Sequence, residues 1–283
     1  MVLPGTTLLA NSALFTYLTN TEYMNSVIKH LTILNFASRK TVVAGVSAVI
    51  MLGFGISAQA DLVINGGFES TTNGAGQLGF NTDATGWTVA PGSYNFIFAS
   101  GTADTSGSIG QYGGLTLWGP NDGSANGLPA SSPAGGNYVA ADGAYDVGAI
   151  SQTISGLTAG DSYTVGFWWA GAQQHGYTSN TTEQWTVGFG SQTQSTAIVD
   201  DANHGFTGWQ HQTFNFTADG PSDVLSFLAA GTPNGEPPFS LLDGVSVAST
   251  SETPEPGYLA LTLGLLSLMA VVVAYRSRNA IKS

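Results

Sequence analysis

The side chains best suited to chemistry lie near the middle of the chain, where aromatic and polar residues occur close together. Trp168 precedes the polar and aromatic segment Gln173–Tyr177, and Trp185 follows it. Sugars pack their C–H faces on aromatic rings, while a few polar groups bind their hydroxyls and fix the orientation. The candidate ligand-binding residues are Trp118, Trp168, Gln173, His175, Tyr177 and Trp185. The alternative is that the tryptophans fill a hydrophobic core.

Familiar catalytic motifs are absent from the sequence. It has no zinc-binding His-Glu-x-x-His, no Gly-x-Ser-x-Gly and no phosphate-binding Gly-Lys-Ser/Thr pattern. Asp200–Asp201 and Glu183 are candidate acids, and glycoside hydrolysis needs two carboxylates held across the scissile bond. Adjacent aspartates are more typical of a solvated turn. We therefore predict a protein that is not an enzyme, with a glycan-active hydrolase as the alternative.

The distribution of charge separates the interior of the chain from its ends. The 283 residues carry a formal net charge of −12 and no cysteine. The interval from Asp61 to Thr253 contains sixteen of the eighteen acidic residues and none of the six basic ones, so its formal charge is −16. Such a domain repels nucleic acid and anionic lipids. It suits neutral glycans, cations or simple solubility, and no disulfide contributes to its stability.

The first sixty residues predict an export signal. Residues 1–23 resemble neither a domain nor a signal, and we interpret them as a misannotated extension before a true start at Met24. Residues 24–60 combine a basic segment, the apolar run Val42–Ile56 and a small-x-small site, which is the pattern of a cleaved signal peptide. The predicted cleavage residues are Ala58, Ala60 and Asp61. An uncleaved N-terminal anchor is the alternative.

The last residues predict a membrane anchor. Residues 250–257 form a linker that ends in a Pro-Glu-Pro tripeptide. Residues 258–283 comprise the uncharged, mostly apolar run Tyr258–Tyr275 and a basic tail, and a run of this length crosses a bilayer as a helix. The basic tail should stay on the cytoplasmic side of the membrane.

The region between these ends, residues 61–249, predicts a β-sandwich. Turn-forming Asn-Gly and Asp-Gly pairs separate many short β-type runs, among them Leu62–Asn65 and Ser162–Ala170. Within the second run, Tyr163, Val165, Phe167 and Trp169 alternate with Thr164, Gly166 and Trp168, as expected for a strand with one buried face. Short strands without intervening helices indicate an antiparallel sandwich. Residues 119–136 are predicted to form one long loop.

The C-terminal layout resembles the PEP-CTERM sorting signal of Gram-negative bacteria. The residues that match are Pro254, Glu255, Pro256, Arg276 and Arg278, with the apolar helix between the two groups. The tail has fewer arginines than many members of that family. The resemblance implies cleavage near the tripeptide by a membrane protease of the exosortase type. It also implies release to the cell surface or the exopolysaccharide matrix.

Two ends of the central region resemble galactose-binding-like, jelly-roll carbohydrate-binding modules. Leu62–Glu69 is similar to their opening strand, Leu241–Val247 to their closing strand, and Gln152–Trp169 to their central strand pair. The resemblance implies that the first and last strands lie side by side. It also implies a structural Ca²⁺ near them, with Glu69 and Asp243 as ligands, although Gly244 replaces a second acid. The alternative is that both carboxylates accept backbone N–H groups at turns.

These features together predict an all-β protein with an antiparallel jelly-roll sandwich, an N-terminal signal segment and one C-terminal transmembrane helix. We expect a non-enzymatic surface or matrix protein that binds polysaccharide. A hydrolase and a purely structural matrix protein are the alternatives. The sequence lacks the regular Thr array of ice-binding proteins, which disfavours ice binding as a further alternative.

Overall fold

The computed structural model of the protein describes residues 61–250, which belong to one compact unit spanning Ala58–Thr253. The predicted signal segment, Pro-Glu-Pro motif, transmembrane helix and basic tail lie outside the described residues. Residues 61–250 contain no helix. It follows that no membrane-spanning helix is found among them.

Fourteen β-strands account for the regular structure of residues 61–250. They are β1 (Gly76–Gln77), β2 (Thr88–Val89), β3 (Asn95–Phe98), β4 (Ser108–Gly110), β5 (Gly113–Leu115), β6 (Tyr138–Asp142), β7 (Ile150–Ser155), β8 (Ser162–Gln173), β9 (Thr181–Phe189), β10 (Gln192–Ser195), β11 (Val199–Asp201), β12 (Gln210–Thr217), β13 (Ser222–Thr232) and β14 (Pro238–Ser249).

The strands form two large antiparallel sheets and a small ribbon. Sheet A has the order β1-β3-β6-β14-β8-β12. Sheet B has the order β10-β9-β13-β7-β2, with β11 also paired to β9. Strands β4 and β5 form the separate ribbon. The two sheets pack face to face, so the prediction of an all-β antiparallel sandwich is confirmed.

The main core lies between the two sheets and is rich in aromatic residues. Sheet A contributes Phe167 and Trp169 from β8, and sheet B contributes Trp185 and Phe227. Phe167 and Phe227 meet edge to face with ring centroids 5.1 Å apart. The predicted inward positions of β8 are all buried, because alternate side chains of a strand point to the same face.

A second core covers the outer face of sheet A. Phe96 and Phe98 of β3, Tyr138 of β6 and Phe239 of β14 lie on this face, with Leu128 from the predicted long loop among the residues packed over them. Strands β3 and β6 are therefore buried on both faces. This double burial explains why their sequences are apolar without a period of two.

Two features of the strand prediction are wrong. Leu62–Asn65 is not a strand, because Asn65 has a φ of 56° and its side chain binds the backbone of Ser70. The chain turns there, although the Leu62 N–H still donates to the Val247 carbonyl at 3.0 Å, which places the first segment beside the last strand. Strands β7 and β8 lie in different sheets rather than forming a pair. Strands such as β1, β4 and β11 are too short to show a period.

Candidate functional site

A cleft of about 380 Å³ opens at one end of sheet A, and four tyrosines line much of it. Tyr94 precedes β3, Tyr112 lies in the turn between β4 and β5, and Tyr145 follows β6. Tyr177 follows β8. The cleft is thus built from segments next to strands of sheet A and from the β4-β5 ribbon, although the residues are far apart in the sequence.

Three of these tyrosines form one aromatic cluster. The ring centroids of Tyr94 lie 5.9 Å from those of Tyr112 and 5.7 Å from those of Tyr145. The Tyr145 hydroxyl donates to the Tyr112 hydroxyl at 3.2 Å, and this hydrogen bond raises the pKa of Tyr145 to about 12. Tyr94 is nearly buried, whereas Tyr112 and Tyr145 are 64% and 45% exposed. The outer rings are therefore available to a ligand while Tyr94 supports them from below.

Asp142 is the carboxylate of the cleft. It ends β6, and its N–H donates to the Tyr94 carbonyl at 3.1 Å. One carboxylate oxygen accepts the backbone N–H groups of Ala144 and Tyr145 at 2.8 and 3.0 Å, and the other has no hydrogen-bond partner. Burial raises the pKa of Asp142 to about 6. Asp142 is 1% exposed and its unpartnered oxygen is itself buried, so the carboxylate contributes negative charge to the wall of the cleft.

Part of the predicted ligand-binding set lies beside the cleft. Trp118 donates its indole N–H to the Tyr177 carbonyl at 2.8 Å. Its ring lies 4.2 Å from His175 and 3.8 Å from His204, measured between centroids. Gln173 is fully buried and binds the Ser179 carbonyl and the His204 N–H, so it holds this wall together instead of facing a ligand. The structure thus brings Trp118, Gln173, His175 and Tyr177 into one neighbourhood.

Two predicted tryptophans lie elsewhere. Trp168 is half-buried on the outer face of sheet A and packs against His211 with ring centroids 4.9 Å apart. Trp185 is fully buried in the main core, and its indole N–H donates to the Leu241 carbonyl at 3.0 Å. The assignment of Trp185 to a ligand site is therefore wrong, because a fully buried ring offers no surface to a ligand.

The cleft residues that sequence reasoning missed are Tyr94, Tyr112, Asp142 and Tyr145. In the sequence, Asp142 belongs to an Asp-Gly pair that resembles an ordinary turn. The only signal that could have found them is the repeated placement of tyrosine next to turn residues. That signal does not say which turns meet.

The predicted metal ligands Glu69 and Asp243 come close to each other. A Cβ placed on Gly67 would lie 3.8 Å from both Asp243 Oδ1 and the Glu69 Cγ. Asp243 is fully buried and accepts the Ser132 hydroxyl and the Gly244 N–H. Burial raises the pKa of Asp243 to about 7, and the charge of Glu69 adds to the rise.

The surroundings of Glu69 and Asp243 fit a hard cation in part. Two carboxylates and the Ser132 hydroxyl supply oxygen, the ligand that Ca²⁺ prefers. However, residues 61–250 contain no group of three or more His, Cys, Asp or Glu side chains suited to a metal. Glu69 also accepts the Asn137 N–H at 2.8 Å, so both carboxylates fulfil the alternative prediction of backbone acceptors. Carbonyl oxygens and water would have to complete a calcium site.

Comparisons with known proteins give only distant similarities. No family model matches the chain. A curated relative, halomucin from Haloquadratum walsbyi, is 27% identical over 225 residues. The match covers 77% of this chain but only 2% of halomucin, so the chain spans a very small part of that protein.

Among solved structures, carbohydrate-binding modules are similar to the chain. The module TmCBM61, solved in complex with β-1,4-galactotriose, is 16% identical, with 68% of this chain and 99% of that chain covered and a TM-score of 0.36. The CBM22-1 xylan-binding domain of Paenibacillus barcinonensis Xyn10C is 13% identical, with 70% and 100% covered and a TM-score of 0.36. These scores are too low to decide a function, which must be argued from the cleft itself.

Proposed function

We propose that the protein is a non-enzymatic surface or matrix protein whose sandwich binds a neutral polysaccharide in the tyrosine cleft. The observation that carries this proposal is the pair of exposed, neighbouring Tyr112 and Tyr145 rings that line the cleft. Rings that stack on sugar faces, together with one polar group that fixes orientation, are the ordinary composition of a ligand site.

The charge of the cleft supports an uncharged ligand. Asp142 lies in the cleft, and Asp146 lies close enough to add to the pKa rise of Asp142. The interval from Asp61 to Thr253 has no Lys or Arg. A uronate or sulfated glycan would bring further negative charge without a cation to pair with it, and this costs free energy.

The test is binding of soluble neutral glucans, xylans and galactans to full-length protein, measured by calorimetry in a detergent without a sugar head group. We expect Tyr112→Ala and Tyr145→Ala each to weaken binding about tenfold, which corresponds to about 1.4 kcal/mol. Tyr112→Phe keeps the ring and should retain most of the affinity.

Trp168→Ala is the matched control, because Trp168 is an aromatic residue of sheet A that does not line the cleft. Loss of binding in this variant, with full binding by the tyrosine variants, would contradict the cleft proposal. Release of shorter sugars from the bound glycan would support the hydrolase alternative. Failure to bind any glycan would support a structural matrix protein.

A second part of the proposal concerns calcium. We infer a structural Ca²⁺ at Glu69 and Asp243, supported by their proximity and by the buried carboxylate of Asp243 beside the Ser132 hydroxyl. An ion there would tie the first segment of the sandwich to its last strand. Loss of this Ca²⁺-dependent stability in Glu69→Gln and Asp243→Asn is the expected result.

A third part concerns localisation and the finer description of the fold. The signal segment and the Pro-Glu-Pro, helix and arginine layout support export, a membrane anchor and processing by an exosortase-type protease. The contact of residue 62 with β14 supports a sandwich of the jelly-roll type, in which the first and last segments are neighbours.

A further inference from the structure

A second cluster of buried oxygen atoms lies on β9 and β11 of sheet B, apart from the cleft residues and from Glu69 and Asp243. Thr181 pairs directly with Asp201, and Glu183 follows Thr181 by two residues, so all three side chains share one face of the sheet. Their exposed fractions are 2%, 2% and 0%. Asp200, in contrast, points outward and is exposed. The prediction that both aspartates lie in a solvated turn is therefore wrong for Asp201.

This cluster lacks the hydrogen bonds that buried oxygens normally have. Both carboxylate oxygens of Glu183, Oδ2 of Asp201 and the Thr181 hydroxyl have no partner of normal geometry. Burial raises the pKa of Glu183 to about 8, with Asp201 adding to the rise and the neighbouring Thr181 hydroxyl offsetting part of it. Buried carboxylates in proteins are neutralised by a proton, a cationic side chain or a metal ion, so this cluster needs one of these partners.

The surrounding chain supplies no such partner. There is no Lys or Arg between Asp61 and Thr250. The nearest histidine in sequence, His204, stacks its ring on Trp118. A cation from solution can therefore supply the missing charge.

Two glycines make room for the carboxylates. A Cβ on Gly171 of β8 would overlap Oε2 of Glu183. A Cβ on Gly205 would overlap Oδ1 of Asp201 and the Ala202 carbonyl oxygen. Any residue larger than glycine at position 171 or 205 would thus fill the space that a carboxylate occupies. The Ala202 carbonyl lies beside the Asp201 carboxylate.

We propose that Glu183, Asp201 and Thr181 form a second calcium site, distinct from Glu69 and Asp243. All the available ligands are oxygens, which favours a hard cation over zinc or copper. Since residues 61–250 gather no third acidic or histidine side chain at one point, backbone carbonyls and water complete the coordination. Mg²⁺ holds its waters and demands octahedral geometry, so Ca²⁺ fits this irregular set better.

The site also has a structural link to the cleft. The segment that follows Asp201 carries His204, whose ring packs on Trp118 and whose N–H donates to Gln173 at 2.8 Å. Trp118 in turn donates to Tyr177, a cleft residue. An ion bound to Asp201 would hold this wall in place.

The test is calcium binding by full-length protein stripped with EDTA, measured by calorimetry at pH 7.5. The double variant Glu69→Gln/Asp243→Asn should still bind one equivalent of Ca²⁺ at the second site. We expect Glu183→Gln and Asp201→Asn each to lose that equivalent. Because Glu183 without a cation is largely protonated at pH 7.5, the neutral Glu183→Gln variant should unfold at a temperature equal to or higher than that of wild type in EDTA. Its melting temperature should respond less to Ca²⁺.

Hydrogen exchange of the wild type gives a readout that needs no variant. Ca²⁺ should slow amide exchange in Thr181–Glu183 and Val199–Asp201 relative to EDTA. Equal calcium stoichiometry and affinity in wild type and Glu183→Gln would overturn the proposal. So would unchanged exchange in these strands, or a wild type that binds no Ca²⁺ here and is stabilised only by acidification. In the last case the cluster holds a proton.

Discussion

Asp142 is a buried carboxylate of the cleft: one of its oxygens accepts two backbone N–H groups, and the other has no hydrogen-bond partner. Its pKa of about 6 lies above the usual value of 3.8, so the folded state holds its proton to higher pH than the unfolded chain does. Between these two values the folded state binds more protons, and stability falls as pH rises. The expected loss is on the order of 3 kcal/mol between about pH 4 and pH 6.

We predict that Asp142→Asn removes this part of the pH dependence. Asparagine can still accept the N–H groups of Ala144 and Tyr145, so the variant should match wild type near pH 4 and exceed it at pH 7. Denaturant unfolding from pH 4 to 7.5 at fixed Ca²⁺ measures the difference. Asp83→Asn, at an exposed carboxylate that does not line the cleft, is the control. Parallel curves for wild type and Asp142→Asn would refute the prediction.

At the scale of elements, strand β8 shows most clearly how a sequence pattern becomes structure. Its odd-numbered residues from Tyr163 to Trp169 are buried in the main core, and Trp168 lies on the opposite face. We predict that Trp169→Ala costs about 3–5 kcal/mol of unfolding free energy, because it leaves a large cavity. Trp168→Ala should cost about 1 kcal/mol, since it loses only partial burial and the contact with His211. Denaturant unfolding of both variants compares them, and similar losses would contradict the assigned faces.

The alternation in β8 was predictable because one strand carries the whole signal within a few residues. The pairing of strands was not, since Leu157–Gly160 resembles a hairpin turn but leads from sheet B to sheet A. Leu157 is buried in the main core, and the Thr158 N–H donates to the Tyr163 hydroxyl at 2.9 Å. Contacts of this kind depend on the packed sandwich, so no local pattern reveals them.

The candidate site was predictable only where its residues are adjacent in sequence. His175 and Tyr177 belong to one segment and lie together with Trp118. Tyr94 and Tyr145 flank the neighbouring strands β3 and β6 of sheet A, whereas Tyr112 comes from the separate β4-β5 ribbon, so their meeting depends on how the ribbon packs on the sheet. A sequence shows which residue types are present, but the distances between turns are set only when the strands assemble.

At the scale of the whole molecule, the predicted signal cleavage site lies directly before a residue that binds the last strand. The Asp61 carboxylate accepts the Val247 N–H at 3.0 Å, and Leu62 binds the same residue of β14. Cleavage before Asp61 would therefore keep the first segment attached to the last strand. We predict that peptide mapping of the mature protein finds Asp61 at the N-terminus, no peptide from residues 1–23, and a C-terminus near Pro254–Pro256.

Two variants test whether the signal-peptide site and the Pro-Glu-Pro tripeptide direct this processing. Ala60→Phe should block N-terminal processing, because signal cleavage requires a small residue at this position. Glu255→Ala should leave the C-terminal segment uncut and the protein in the membrane fraction, if a sorting protease reads the tripeptide. Neither substitution changes a residue of the described sandwich, so melting temperatures should stay close to wild type. An abundant product that retains Ala58–Ala60 would contradict N-terminal cleavage, and unchanged release of Glu255→Ala would leave an ordinary anchor or a different protease.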